Sequence, residues 1–265
     1  MDDRDALTHV RAIVGRGDHA ELVAALRHKP WPADSLQLIG DGLLAAVRDG
    51  TDGSVDLAQA WVTALHEREW DGDRELADAL NAALGIGPTP MLRPLPVDLE
   101  ELAMILEGDP VHGGGRIELR TGEVWPQSAL EYAEEVGEID EDDEDPERWL
   151  WVHCEGSHDG YRDMESFIDD LADEDFADQL ARAISGRGAF RRFKDRLSER
   201  PELMTRWHAF SNDRQRGRAR SWLAHQGYRP AVGSTDLNPG PTGLNPRHRS
   251  QCAEWRMPSP ASAVK

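Results

Sequence analysis

Only two of the 265 residues are cysteine, Cys154 and Cys252. Two distant thiols provide neither a disulfide framework nor the paired spacing of a zinc site, and isolated thiols suit a reducing compartment. No apolar run approaches the roughly 18 to 20 residues that a membrane-spanning helix needs. The N-terminus, MDDRDALTHV, is acidic and lacks the apolar core of an export signal, so the expected setting is the cytoplasm, with no membrane partner. Catalytic signatures are missing as well. GxSxG and HExxH are absent, and no glycine-rich fingerprint follows a strand and opens a helix. Gly113 to Gly115 lack a following helix and a Lys-Ser/Thr pair, so they read as a flexible entry to a hairpin.

What is present is charge, unevenly placed. The net charge is −20. Residues 1–97 carry −7, residues 98–185 carry −23, residues 186–230 carry +8, and the remainder +2. The middle of the chain repels polyanions and the third segment attracts them, unless the two segments neutralise each other within one fold.

Residues 1–85 read as a helical domain. Leu7, Val10, Ile13 and Val14 fall at helical spacing, as do Leu22, Val23 and Leu26, then Leu36, Ile39, Leu43, Leu44 and Val47 after an N-cap at Asp34 or Ser35. Two further segments, VDLAQAWVTALHEREW and DRELADALNAALG, complete five helices, with no repeat signature. Residues 86–97, rich in proline, read as an extended linker. Residues 98–230 form the second domain. Asp98 is placed to cap a short helix. GGGRIELRTGEVWP alternates as a hairpin, and RWLWVHC as a third strand with Trp149 and Trp151 on one face. Helical patterns resume from Tyr161 to Tyr228, and residues 231–265 have no periodic core pattern and are expected to be disordered. The fold class that follows is α+β: an N-terminal helical unit, then a small antiparallel sheet packed against four or five helices.

The stretch GRGAFRRFKD, Gly186 to Asp195, concentrates four cations and two phenylalanines. At about 100° per residue, Phe190, Phe193 and Leu197 form one stripe and the cations point elsewhere. Aromatics that stack on bases must be exposed, so this reads as a core helix with a basic outer face. Arg191, Arg192, Lys194 and Arg196, with Arg214, Arg216, Arg218 and Arg220 further on, are the candidates for binding an anion, a partner or RNA.

Here the chain resembles Uncharacterised Protein Family 0158, a bacterial group. RIELRTGEVWP, YRDMESFIDDL, GRGAFRRFKDRL, RWHAF and ARSWL occur in the family's order between about Val97 and Arg229. His208 stands where an aromatic residue is expected after Trp207, and the acidic hairpin-to-strand connection is short. The resemblance implies a shared fold, with residues 1–85 similar to an actinobacterial extension. It brings no activity, cofactor or catalytic residue.

Glu138, Asp140, Glu141, Asp142, Asp143, Glu144, Asp145 and Glu147 form an acidic tract. An EF-hand numbered from Asp140 needs glycine at its sixth position and glutamate at its twelfth, where Asp145 and Trp151 stand. His153, Cys154, His158 and Asp159 lack a second cluster at zinc spacing. No metal or cofactor is expected. The leading expectation is therefore a non-enzymatic binding or regulatory module whose acidic tract meets a protein with a basic surface. The alternatives are RNA binding through the basic 187–220 helices, or an enzyme with dispersed residues near the sheet edge, such as Trp151, His153 and Tyr161.

Overall fold

The computed structural model describes residues 3–27, 33–108, 113–137 and 145–231. Five helices open the chain: α1 (Asp3–Arg16), α2 (His19–Arg27), α3 (Leu36–Arg48), α4 (Ser54–Arg68) and α5 (Asp73–Ala83), with a 3-10 turn, Ala33–Ser35, leading into α3. Their apolar stripes meet in one cluster that includes Ile13, Leu22, Ile39, Leu43, Leu65 and Leu76. Helix α3 sits at its centre, and Trp61 donates its indole N–H to the Leu36 carbonyl.

The Pro-rich segment that follows carries a short strand, β1 (Arg93–Leu95). It pairs in parallel with β5 (Tyr228–Pro230), Arg93 lying opposite Tyr228. Proline is tolerated there because both strands are edges of a two-stranded ribbon. Asp98 caps α6 (Leu99–Leu106), its carboxylate accepting from the Glu100 N–H at 2.7 Å. Strands β2 (Gly115–Glu118), β3 (Val124–Pro126) and β4 (Trp149–Val152) form an antiparallel sheet in the order β3-β2-β4, with α7 (Gln127–Glu135) following β3. Four further helices follow among the described residues: α8 (His158–Asp169), α9 (Glu174–Ile184), α10 (Ala189–Leu197) and α11 (Pro201–His225). The fold is α+β.

One face of the antiparallel sheet packs Ile117, Leu150 and Val152 against α6 and the C-terminal half of α11, through Leu102, Leu106 and Leu223. The other face carries Trp125 and Trp149 and is partly covered by Leu130 and Ala133 of α7. A third cluster joins α8, α9, α10 and the first half of α11 through Phe167, Phe176, Phe193, Trp207 and Phe210. Helix α11 is the spine. Its 25 residues span about 37 Å at 1.5 Å per residue, and it touches α1, α3, α5, α6, α8 and α10. No described helix is long and apolar enough to cross a membrane.

Candidate functional site

The middle of α11 reads SNDRQRGRAR and has no apolar stripe. At about 100° per residue, Arg214 and Arg218 share one side, while Asp213, Arg216, Gly217 and Arg220 share another. Each side meets carboxylates. Arg214 donates from Nε to Asp163 at 2.9 Å. Arg218 donates to Asp163 at 2.8 Å and from Nε to Glu107 at 2.8 Å. On the second side, Arg216 reaches Asp41 at 3.0 Å and Glu100 at 3.1 Å, and Arg220 reaches Asp41 at 2.7 Å and the Gln37 side-chain oxygen at 2.8 Å. A desolvated charge persists only with such a partner. Burial would push the Asp41 carboxyl up, but Arg220 and Arg216 together hold it below the usual carboxylate range. Burial would lower the Arg216 guanidinium, and Asp41 and Glu100 instead hold it above its ordinary value. Arg218 is raised in the same way by Asp163 and Glu107.

A third cluster is charge-imbalanced. Arg68 donates to Asp73 from two nitrogens, at 2.9 and 2.5 Å, and to Asp213 at 2.5 Å. Asp213 also accepts the Gln37 backbone N–H at 2.8 Å. One guanidinium thus serves two buried carboxylates. Burial pushes the Asp213 carboxyl up to about 6, assisted by the Asp73 charge and opposed by Arg68 and the Gln37 N–H. Beside this cluster α5 begins directly against α11. A Cβ on Gly217 would run into the Asp71 carbonyl oxygen, and one on Gly72, whose φ is 78°, would run into Gly217. Glycine at both positions lets the two backbones touch.

Asp213 also lines a groove of about 360 Å³ between α1, the 3-10 turn and the first half of α11. Thr8, Arg11, Asp34, Thr205 and His208 line it too. Arg11 bridges Asn212 at 2.7 Å and Glu100 at 3.2 Å. Burial raises the Asp34 carboxyl against the pull of Arg206, 3.5 Å away.

On α10, Phe193 and Leu197 are buried and Phe190 is partly buried against the same cluster. Arg192 turns back on the end of α9. Its guanidinium donates to the carbonyls of Ala183 at 2.8 Å and Ser185 at 2.7 Å, and to that of Arg187. It therefore satisfies acceptors that a helix C-terminus leaves open. Arg191 pairs with Asp195 at 3.7 Å and Arg196 with Glu199 at 2.8 Å, all at the surface. Lys194 is exposed and has no ion-pair partner among the described residues.

The outer sheet face stacks cations on rings. The Arg148 guanidinium lies 4.6 Å from the Trp149 ring, and that of Arg116 lies 5.9 Å from Trp149 and 3.9 Å from Trp151. Of the acidic tract, Asp145 and Glu147 are exposed just before β4, while Glu138, Asp140, Glu141, Asp142, Asp143 and Glu144 lie outside the described residues, as do Cys252 and the chain after residue 231. Asp145 forms a turn in which its carboxylate accepts the Glu147 N–H at 2.9 Å and its carbonyl accepts the Trp149 N–H at 2.9 Å. His153 is exposed, and Tyr161 packs with the α8 to α10 cluster. Cys154 is half-buried, its thiol 3.6 Å from the Leu106 carbonyl. Among the described residues no three His, Cys, Asp or Glu side chains gather as metal donors.

Sequence reasoning did not single out Asp41 or Asp163, which meet the α11 arginines, nor Asp213, which meets Arg68. One signal was available: Asp41 interrupts the apolar run LIGDGLL in mid-helix, where a charge requires a buried counter-charge.

These features define a helix-rich α+β protein organised around one long helix whose arginines face inward. Residues 117–244 match the model of an uncharacterised protein family, UPF0158, and the chain belongs to that family. A UPF0158 protein of Pseudomonas aeruginosa is 30% identical over 152 residues, covering 57% of this chain and 97% of that protein. No solved structure matches the chain. Gln37, Asp41 and Arg68, which face α11, all precede the matched segment.

Proposed function

We propose that the protein is a non-enzymatic binding or regulatory module of the cytoplasm that docks a partner protein carrying a basic surface. The observation that carries this reading is the pairing of Arg214, Arg216, Arg218 and Arg220 with carboxylates of the same chain. Those cations make up half of the candidate anion-binding set, and their charge is already matched inside the fold. Asp145 and Glu147 face outward just before β4, within a chain of net charge −20. An acidic surface of this kind steers a basic partner and repels nucleic acid. RNA binding would be left to Arg191, Lys194 and Arg196 on α10. The division into a helical unit (1–85), a linker (86–97), a family core (98–230) and a tail (231–265) is part of the proposal, with the α11 network tying the first and third segments into one working body.

The test is co-purification from native cells with the wild-type chain and with a variant neutralised across 138–147 by Asp→Asn and Glu→Gln changes. Partners with basic surfaces are expected with the wild type and lost with the variant. Recovery of the same partners by both proteins overturns the reading.

A further inference from the structure

The strand register builds a four-membered stack on the outer sheet face. Arg116 of β2 lies opposite Trp125 of β3 on one side and Trp151 of β4 on the other. Trp149 and Trp151, two residues apart on β4, project to the same face. The guanidinium-to-ring distances then order the stack as Arg148, Trp149, Arg116, Trp151. Each ring attracts cations to its face through its quadrupole. Trp149 contacts two guanidiniums and is buried; Trp151 contacts one and remains 39% exposed. Among the described residues the stack therefore ends on an aromatic ring that has one cation where its neighbour has two.

We infer that Trp151 is the docking point for an arginine or lysine side chain of the partner protein, which takes the next cation position on the stack. This rests on the basic-partner reading and adds the residue that makes contact. Two cations on one indole is an arrangement the fold already contains at Trp149. The repulsion between them is moderated there by Glu118, 3.6 Å from Arg148. The exposed acids that flank β4 along the chain are Asp145 and Glu147 before it and Glu155 after it. A nucleobase also stacks on tryptophan, but its phosphates would approach these same carboxylates, so charge selects a basic protein segment over RNA.

The experiment uses the full chain and a fluorescein-labelled peptide of alternating arginine and glycine, followed by anisotropy at low ionic strength. Trp151→Ala is expected to weaken binding about 3- to 10-fold, and Trp151→Phe, which keeps a ring, to retain most of it. Trp151→Ala removes the ring that covers Arg116 and should lower the melting temperature, so binding is read well below the midpoint of each variant, and Trp151→Phe supplies the folded control. The Trp151 indole N–H resonance, identified by its absence from the Trp151→Ala spectrum, should shift on peptide addition. If the peptide binds the alanine variant as tightly as wild type, or leaves the indole resonance unmoved, the contact is wrong and the acidic-surface reading stands. If the peptide fails to bind the wild type, both fall. If a labelled single-stranded RNA binds and moves the Trp151 resonance where the peptide does not, the site takes bases and the inference is overturned.

Discussion

Replacing Arg220 with methionine tests whether the α11 arginines are interior groups. Arg220 is 3% exposed, and its guanidinium serves Asp41 and Gln37 on α3. Methionine fills much of the volume but leaves the Gln37 side-chain oxygen without that donor and Asp41 with Arg216 alone. Breaking a buried ion pair by removing one partner costs about 3–5 kcal/mol. Arg216 still neutralises Asp41, so the lower end applies, about 3 kcal/mol. At roughly 2–4 °C per kcal/mol for a chain of this size, the melting temperature falls by about 6–12 °C. Urea unfolding followed by far-ultraviolet circular dichroism and by tryptophan fluorescence measures the loss, and coincident transitions license a single free energy. Asp41→Asn should destabilise as well. The double variant should lose less than the sum, with a coupling of about 0.5–3 kcal/mol, because the two side chains act on each other. A loss below about 0.5 kcal/mol for Arg220→Met, the range of ordinary surface changes, refutes the buried pairing. Strict additivity in the double variant refutes direct contact.

Three further outcomes follow from the geometry. Gly217→Ala forces a Cβ into the Asp71 carbonyl and should cost about 1–3 kcal/mol in the same urea assay, whereas Gly15→Ala on α1, with open space around it, should be neutral or stabilise by up to about 1 kcal/mol. Asp213 titrates near about 6 in the fold, against about 3.9 when unfolded, so the native state binds more protons in that interval. Its contribution to stability therefore grows as pH falls through 6 and is lost as pH rises through it; melts of Asp213→Asn between about pH 4 and pH 7 should show a flatter profile than wild type. Arg192→Ala uncovers the carbonyls at the end of α9 and should lower the thermal midpoint, while Arg191→Ala, which removes a surface pair, should leave it unchanged.

The N-terminal helices and the α10 stripe were legible because apolar residues recurred at helical spacing, and burial of Ile39, Leu43, Phe193 and Leu197 follows directly from that period. The three antiparallel strands were legible from their alternation. The β1–β5 ribbon was not, since its two halves are separated by about half of the chain and both contain proline, so no local signal marks the pairing. The R-x-R-x-R-x-R pattern of α11 shows helical rows of charge, but a row reads the same whether it faces water or a buried carboxylate. Only the positions of Asp41, Asp163 and Glu107 decide, and those come from α3, α8 and the residue that ends α6. The opposing charges of segments 98–185 and 186–230 carried the hint of internal neutralisation, and Asp163 with Arg214 and Arg218 is one place where it occurs. GRGAFRRFKD divides in the same way: Arg192 serves its own backbone, while Lys194 remains at the surface.

With Arg214, Arg216, Arg218 and Arg220 paired inside the fold, the proposed function requires a chain of net charge −20 to prefer a basic partner to a nucleic acid. Side-by-side anisotropy titrations of the full chain with a labelled single-stranded RNA and with a labelled arginine–glycine peptide, at low and high salt, test it most directly. The expected result is peptide binding that weakens with salt and no RNA binding at either ionic strength. RNA binding that falls steeply with salt, as release of counterions from neutralised phosphates requires, and that is lost when Arg214 and Arg218 are replaced in a chain that still folds, would contradict it.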